Sequence, residues 1–248
     1  MEYSAEKLEK LVKDLVRLGD YSRWEEPKQP ENISWFNQHG NYQDGNISAQ
    51  RLEELALLGA NLKDKAYLIA NVNRSELLDV ALKYGADPNL PGKSGGLTID
   101  RALGRGRTDI AQSLINHPEF NFVSDTHTNA LFLSLDNGRY KLAQDILEKK
   151  PELFFTKDKF ENTPLIVLAQ HLAKGNKFNS KAIKFVQSCL DYADKLELYI
   201  DIHESNKTGQ NISHFSLEMT TMITEKYALD LNSKLSRKDN QTFKNLKI

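Results

Sequence analysis

The sequence predicts an all-α chain built from repeated helix–turn–helix units, and three observations carry that prediction. First, a helix-opening position recurs at Leu97, Asn129, Thr163 and Asn211, in steps of about 32, 34 and 48 residues. Self-similarity at such a period marks stacked units, each burying its apolar face against the next. Second, a Gly-Arg pair recurs where paired helices must reverse, as Gly106-Arg107 and Gly138-Arg139. Third, a helix-stop phrase is written Tyr84-Gly85-Ala86-Asp87-Pro88-Asn89, with a weaker copy at Leu58-Gly59-Ala60-Asn61. Glycine accepts the left-handed backbone that ends a helix. Small Ala86 lets the chain turn close to its neighbour, and Asp87 and Asn89 can bond their own backbone in the turn.

The elements follow in order. Ser4 to Leu18 is expected to form an amphipathic helix, with Leu8, Leu11, Val12, Leu15 and Val16 on one face and Gly19 as its stop. Tyr21 to Ile47 is rich in Pro, Asn and Gly but carries Trp24, Trp35, Phe36 and Tyr42. Terminal units of a stack are atypical because one face meets water. The aromatics are therefore expected to cap the first repeat, the alternative being an anchor surface for a partner. A helix capped by Ser48 should run to Leu58. One unit without a clear opening phrase covers about 63–90. The next, about 91–122, opens with Leu97-Thr98-Ile99-Asp100. A third, about 123–153, opens with Asn129-Ala130-Leu131-Phe132.

The fullest opening phrase is Asp158-Lys159-Phe160-Glu161-Asn162-Thr163-Pro164-Leu165. Thr163 can cap a helix whose first residue is Pro164, where the missing N–H is harmless. Leu165, Leu168 and Ala169 continue as an apolar stripe. The 48-residue step contains Lys174-Gly175-Asn176-Lys177 and then a helix from Ser180 to Leu196, an extended second helix behind an enlarged loop. A degenerate unit begins near Asn206 and reads Gly209-Gln210-Asn211-Ile212-Ser213-His214. A last helix and a frayed end are expected in the Lys/Asn/Ser-rich tail 231–248. The implied organisation is an N-terminal helical cap with an aromatic loop (1–62), core repeats (63–175), and an extended helix, degenerate repeat and C-terminal cap (176–248).

These phrases together resemble the ankyrin repeat: a turn, a helix-opening Thr-Pro-Leu, a second helix, then Gly-Ala-x-x-Asn. Ala102-Leu103 and Ser134-Leu135 stand in the place of that family's small Ala-Ala pair, and Gly-Arg stands where it often has Gly-His. The resemblance covers about residues 60–175. It implies an ankyrin-repeat solenoid with atypical helical caps, acting as a non-catalytic scaffold that binds a partner protein on its concave face. In that family the turn fingertips and first-helix faces carry the contacts. The corresponding residues here are Lys93, Ser94, Arg101 and Arg105 from one repeat, Asp125, Thr126, Asp136 and Asn137 from the next, and Lys159, Phe160, Gln170 and His171 from the third. Phe160 stands out, because an aromatic at a fingertip gains little from the core and makes a good binding anchor. Glu161 departs from the family, which favours glycine there, so a distorted turn is expected. Degenerate repeats with frequent Asn and Lys are also similar in style to ankyrin proteins that intracellular bacteria secrete into host cells. That implies an effector acting on a host protein. A regulatory or immunity-type protein that masks a bacterial partner is the alternative binding role.

Composition limits the other classes. The chain has 248 residues, 40% apolar, and a formal net charge of -1. A core can be buried, while binding along a nucleic-acid backbone would need a clear basic excess. The basic residues from Lys234 to Lys244 are too dilute for a targeting signal. The N-terminus turns acidic at once and shows no signal-peptide pattern. The longest apolar run, Leu165 to Ala169, is too short to cross a bilayer. A monomer in the cytoplasm is expected, or one secreted into a host cell without a classical signal peptide. No cofactor is expected, and no metal, since Cys189 stands alone and the six histidines lack ligand spacing. Gly104-Arg105-Gly106-Arg107 lacks the phosphate-loop pattern. It is read as the repeat's own turn, with a basic contact site from Arg101, Arg105 and Arg107 as the alternative. An enzyme centred on Cys189 with His203 or His214 is the remaining competing reading.

Overall fold

A computed structural model of the chain describes residues 3–18, 45–70, 74–91, 96–123, 129–174, 180–196 and 199–228. Among them every regular element is an α-helix or a 3-10 turn, apart from one isolated bridge between Val123 and Asn129. The all-α expectation holds. The chain divides into two compact units, 1–133 and 134–248.

In the first unit, α1 (Ala5–Leu18) opens where Ser4 Oγ accepts the Lys7 N–H at 3.3 Å. Its predicted apolar face is buried at all five positions, none more than 3% exposed. Each such side chain is worth roughly 1.5–3 kcal/mol when taken out of water. Helix α2 (Gly45–Leu57) starts earlier than expected, so Ser48 lies inside the helix instead of capping it. Helices α3 (Ala66–Ile69) and α4 (Ser75–Lys83) form the unit that lacked an opening phrase. Helix α4 ends as its sequence dictates. Gly85 takes φ 88°, and Ala86, buried at 3%, donates its N–H back to Ala81 O at 2.9 Å. Helices α5 (Thr98–Gly104) and α6 (Thr108–Asn116) follow. α2 packs on α1 and α4, α4 packs on α6, and α3 packs on α5. Second helices therefore stack on second helices and first on first, as repeats should. An asparagine joins the successive turns: Asn89 donates to Glu119 O at 2.8 Å and accepts the Asn121 N–H at 2.7 Å.

Helix α7 (Ala130–Asp136) carries the division between the units. The second unit continues with α8 (Tyr140–Lys149), a 3-10 turn at Pro151–Phe155, α9 (Pro164–Ala173), α10 (Ser180–Lys195), a 3-10 turn at Ile212–His214, and α11 over 217–228. α10 packs on α8. Its 16 residues, against 9 in α6 and 10 in α8, account for part of the long step.

All four predicted opening positions stand at helix N-caps. Asn129 Oδ1 accepts the Phe132 N–H at 2.9 Å, and Thr163 Oγ1 accepts that of Ile166 at 3.3 Å. Asn211 and His214 form a reciprocal box, while Leu97 caps α5 without a side-chain bond. Both predicted Gly-Arg reversals form alike. Gly106 has φ 74° with Arg107 N–H bonded to Ala102 O, and Gly138 has φ 64° with Arg139 N–H bonded to Ser134 O, both at 2.8 Å.

Candidate functional site

The best-defined surface feature is a pair of turns in the second unit. Asp158 Oδ1 accepts the backbone N–H of Phe160 and of Asn162, each at 2.8 Å. Asn206 repeats the arrangement, its Oδ1 accepting from Thr208 and Gln210, each at 3.0 Å. A short polar side chain that bonds the backbone two and four residues on closes a tight turn locally. The fourth residue of each turn, Glu161 at φ 61° and Gly209 at φ 76°, is left-handed. The distortion expected from Glu161 is absent. Glu161 adopts the glycine conformation, and its N–H bonds Asp158 O at 2.9 Å, as that of Gly209 bonds Asn206 O.

The two turns are tied together. Lys207 donates its N–H to Phe160 O at 3.0 Å and its Nζ to Lys159 O at 2.7 Å. Beneath them, buried Asn206 donates to buried Asn162 Oδ1 at 2.9 Å. Asn162 also donates to Asp158 Oδ2 at 2.8 Å and accepts from Gln170 Nε2 at 3.1 Å. On this braced tip Phe160 is 55% exposed, with Lys159 Nζ 5.0 Å from its ring centroid. The sequence reading found Phe160 and Lys159 but missed Lys207 and the buried asparagine tie. A signal for the paired turns existed, because Asp158 and Asn206 each stand three residues before the left-handed position.

Gln170 braces Asn162, so part of its bonding capacity serves the fold. His171 meets Tyr140 edge-on, with centroids 6.2 Å apart. A Cβ on Gly138 would stand 3.1 Å from His171 Nε2. The Asp136 carboxyl is held above the usual carboxylate range, first by partial burial and also by Asp158, while Lys174 and His171 pull it down. Asn137 is half-buried in the turn after α7.

In the first unit, Arg101 and Arg105 line one recess of about 320 Å³ with Tyr67, Leu97 and Asp100. The Arg101 guanidinium carbon lies 6.0 Å from the Tyr67 ring centroid. Arg107, the third member of the alternative basic site, is not part of that lining and serves the inter-helix turn. Lys93, Ser94, Asp125 and Thr126 lie outside the described residues, as do Gly19, Trp24, Trp35, Phe36, Tyr42, the loop at 175–179 and the tail 229–248.

The competing chemistry finds no support in the Cys189 environment. The thiol is fully buried, and burial pushes its pKa far up, so it stays protonated. His203 is exposed, and His214 Nδ1 accepts the Asn211 N–H at 3.2 Å in the helix cap. Among the described residues no cluster of His, Cys, Asp and Glu could hold a metal ion. No described helix is long and apolar enough to cross a membrane.

No protein-family model matches this chain. A search of curated proteins by sequence finds no match either. Solved structures do match. One is the human ASB11 ankyrin repeat domain, at 14% identity and a TM-score of 0.53, covering 84% of this chain and 91% of that one. Another comes from the complex of the Bdellovibrio bacteriovorus predatory endopeptidase Bd0816 with immunity protein Bd3460. It matches at 16% identity and a TM-score of 0.51, covering 73% of this chain and 97% of that one. At such identities the likeness speaks to fold alone. The fold is an all-α, ankyrin-type solenoid.

Proposed function

We propose that this chain is a non-catalytic scaffold that binds a partner protein through the braced tip and the first-helix faces of its repeats. The observation that carries the reading is Phe160, a large aromatic left in water on a turn fixed by Asp158, Asn162, Asn206 and Lys207. A rigid exposed aromatic loses little freedom on binding, and such residues dominate interface energetics. Lys159, Gln170, His171, Asp136 and Asn137 would surround it, and Arg101 and Arg105 are proposed as contacts of the first unit by itself. Lys93, Ser94, Asp125 and Thr126 complete the proposed set. The working picture is a monomer that needs no cofactor and does not bind nucleic acid, with a host protein as partner if the chain is a secreted effector.

The second reading, a protein that masks a bacterial partner, gains support from the structural likeness to a chain of an endopeptidase–immunity protein complex. Affinity capture from eukaryotic and bacterial lysates in parallel separates the two, since each predicts a specific partner in only one lysate. In either case Phe160→Ala should weaken the captured complex by about thirtyfold, the scale of an interface hot spot. The same change should leave stability within roughly 0.5 kcal/mol, as for other exposed positions. Undiminished binding by Phe160→Ala would overturn the assignment of the tip.

A further inference from the structure

The recess of the first unit has a chemistry of its own. Arg101 and Arg105 are four residues apart, so their guanidinium groups leave the same face of the chain at successive turns. Tyr67 stands opposite, its ring 6.0 Å from the Arg101 guanidinium carbon. That distance lets the aromatic face attract the cation and hold it in place. Gly96 and Gly104 line the same space without side chains, and a Cβ on Gly96 would come no closer than 3.9 Å to Asp100 Oδ2 or to the Tyr67 hydroxyl. The result is a half-open volume of about 320 Å³ with two arginine forks, one phenol and the apolar edge of Leu97. All lining residues are half-buried or exposed, so a side chain from outside can reach them.

We infer that this recess receives an acidic side chain, Asp or Glu, of the partner protein. The inference rests on the binding reading above and names the chemistry of one contact. Planar guanidinium groups match the two oxygens of a carboxylate, and such charge-assisted pairs are stronger than neutral hydrogen bonds. Charge selects the carboxylate over a phosphoryl group. The two arginines and Asp100 give the lining a formal charge of one positive, which suits a monoanion better than a dianion.

The experiment uses the full chain and no partner. The arginine Nε–Hε signals are followed by NMR while a short Glu-containing peptide is added, with the Gln-for-Glu peptide and inorganic phosphate as parallel probes. The Glu peptide should shift the Arg101 and Arg105 signals and bind about tenfold more tightly than the Gln peptide. Raising salt from low to high ionic strength should weaken it. Arg101→Gln with Arg105→Gln, followed on the backbone N–H signals of Gly96 and Leu97, which line the same recess and remain in the variant, should abolish the peptide-induced shifts while circular dichroism shows unchanged helix content. Equal shifts from the Glu and Gln peptides, or binding that survives the double substitution, overturn the inference. Phosphate binding more tightly than the Glu peptide also overturns it, in favour of a phosphoryl ligand. Since no captured partner enters this test, its failure bears on the recess alone, and failure of the Phe160→Ala test bears on the scaffold reading.

Discussion

Glu161 shows how a local rule can be broken without losing the structure. A left-handed residue with a Cβ is disfavoured by about 1–2 kcal/mol, yet Glu161 sits at φ 61° in a turn that otherwise matches the one containing Gly209. The Asp158 bonds to the backbone of Phe160 and Asn162 over-determine the turn, which is the condition under which such strain persists. Glu161→Gly should therefore stabilise the chain. The gain is reduced because glycine loses more freedom on folding. A net rise of roughly 0.5–1 kcal/mol in unfolding free energy is expected, read as a higher urea midpoint at unchanged slope. A fall instead would show that the Glu161 side chain stabilises the tip by another route, its attraction to Lys157 being the first to test.

Helix boundaries were legible wherever the signal was local. Asn129, Thr163 and Asn211 declare themselves as caps because the bond each makes spans only two or three residues. Gly85, Gly106 and Gly138 declare themselves as turns because only their backbone is asked to change. Ser48 misled for the converse reason: a serine before an apolar stretch can cap a helix, but here the helix already begins at Gly45. The tie between Asn162 and Asn206 was out of reach, since the partners are 44 residues apart and meet only when two successive repeats of the second unit stack. The recess beside Arg101 was half legible. The arginines could be placed on one helix face, while Tyr67 joins them only through the packing of α3 on α5. The asparagine tie makes its own prediction. Asn162→Ala would strip a bond from Asp158, Gln170 and Asn206 at once, at a site 3% exposed. Buried polar groups left without partners are costly, so a loss of about 1–3 kcal/mol is expected in urea unfolding. A loss below about 0.5 kcal/mol would show that the two turns hold without it.

For the molecule as a whole, the single cysteine separates a binding scaffold from a thiol enzyme. Cys189 is fully buried on α10 among Phe185, Val186, Leu190 and Ala193, all of them buried too. Its pKa is raised by burial, so in the folded chain it offers neither access nor thiolate to a reagent. Labelling must then wait for the second unit to open, and its rate should follow the population of opened molecules. A disulfide reagent in native buffer at pH 8 is expected to react with far less than one equivalent over the time in which the urea-unfolded chain reacts completely. Adding urea below the unfolding midpoint should speed the reaction in proportion to the opened fraction, and Asn162→Ala should speed it in native buffer. Phe160→Ala, which alters only a surface side chain, should leave the rate unchanged. Rapid stoichiometric labelling of the native chain would instead mean a reachable, ionised thiol, and would return the Cys189 enzyme reading to contention.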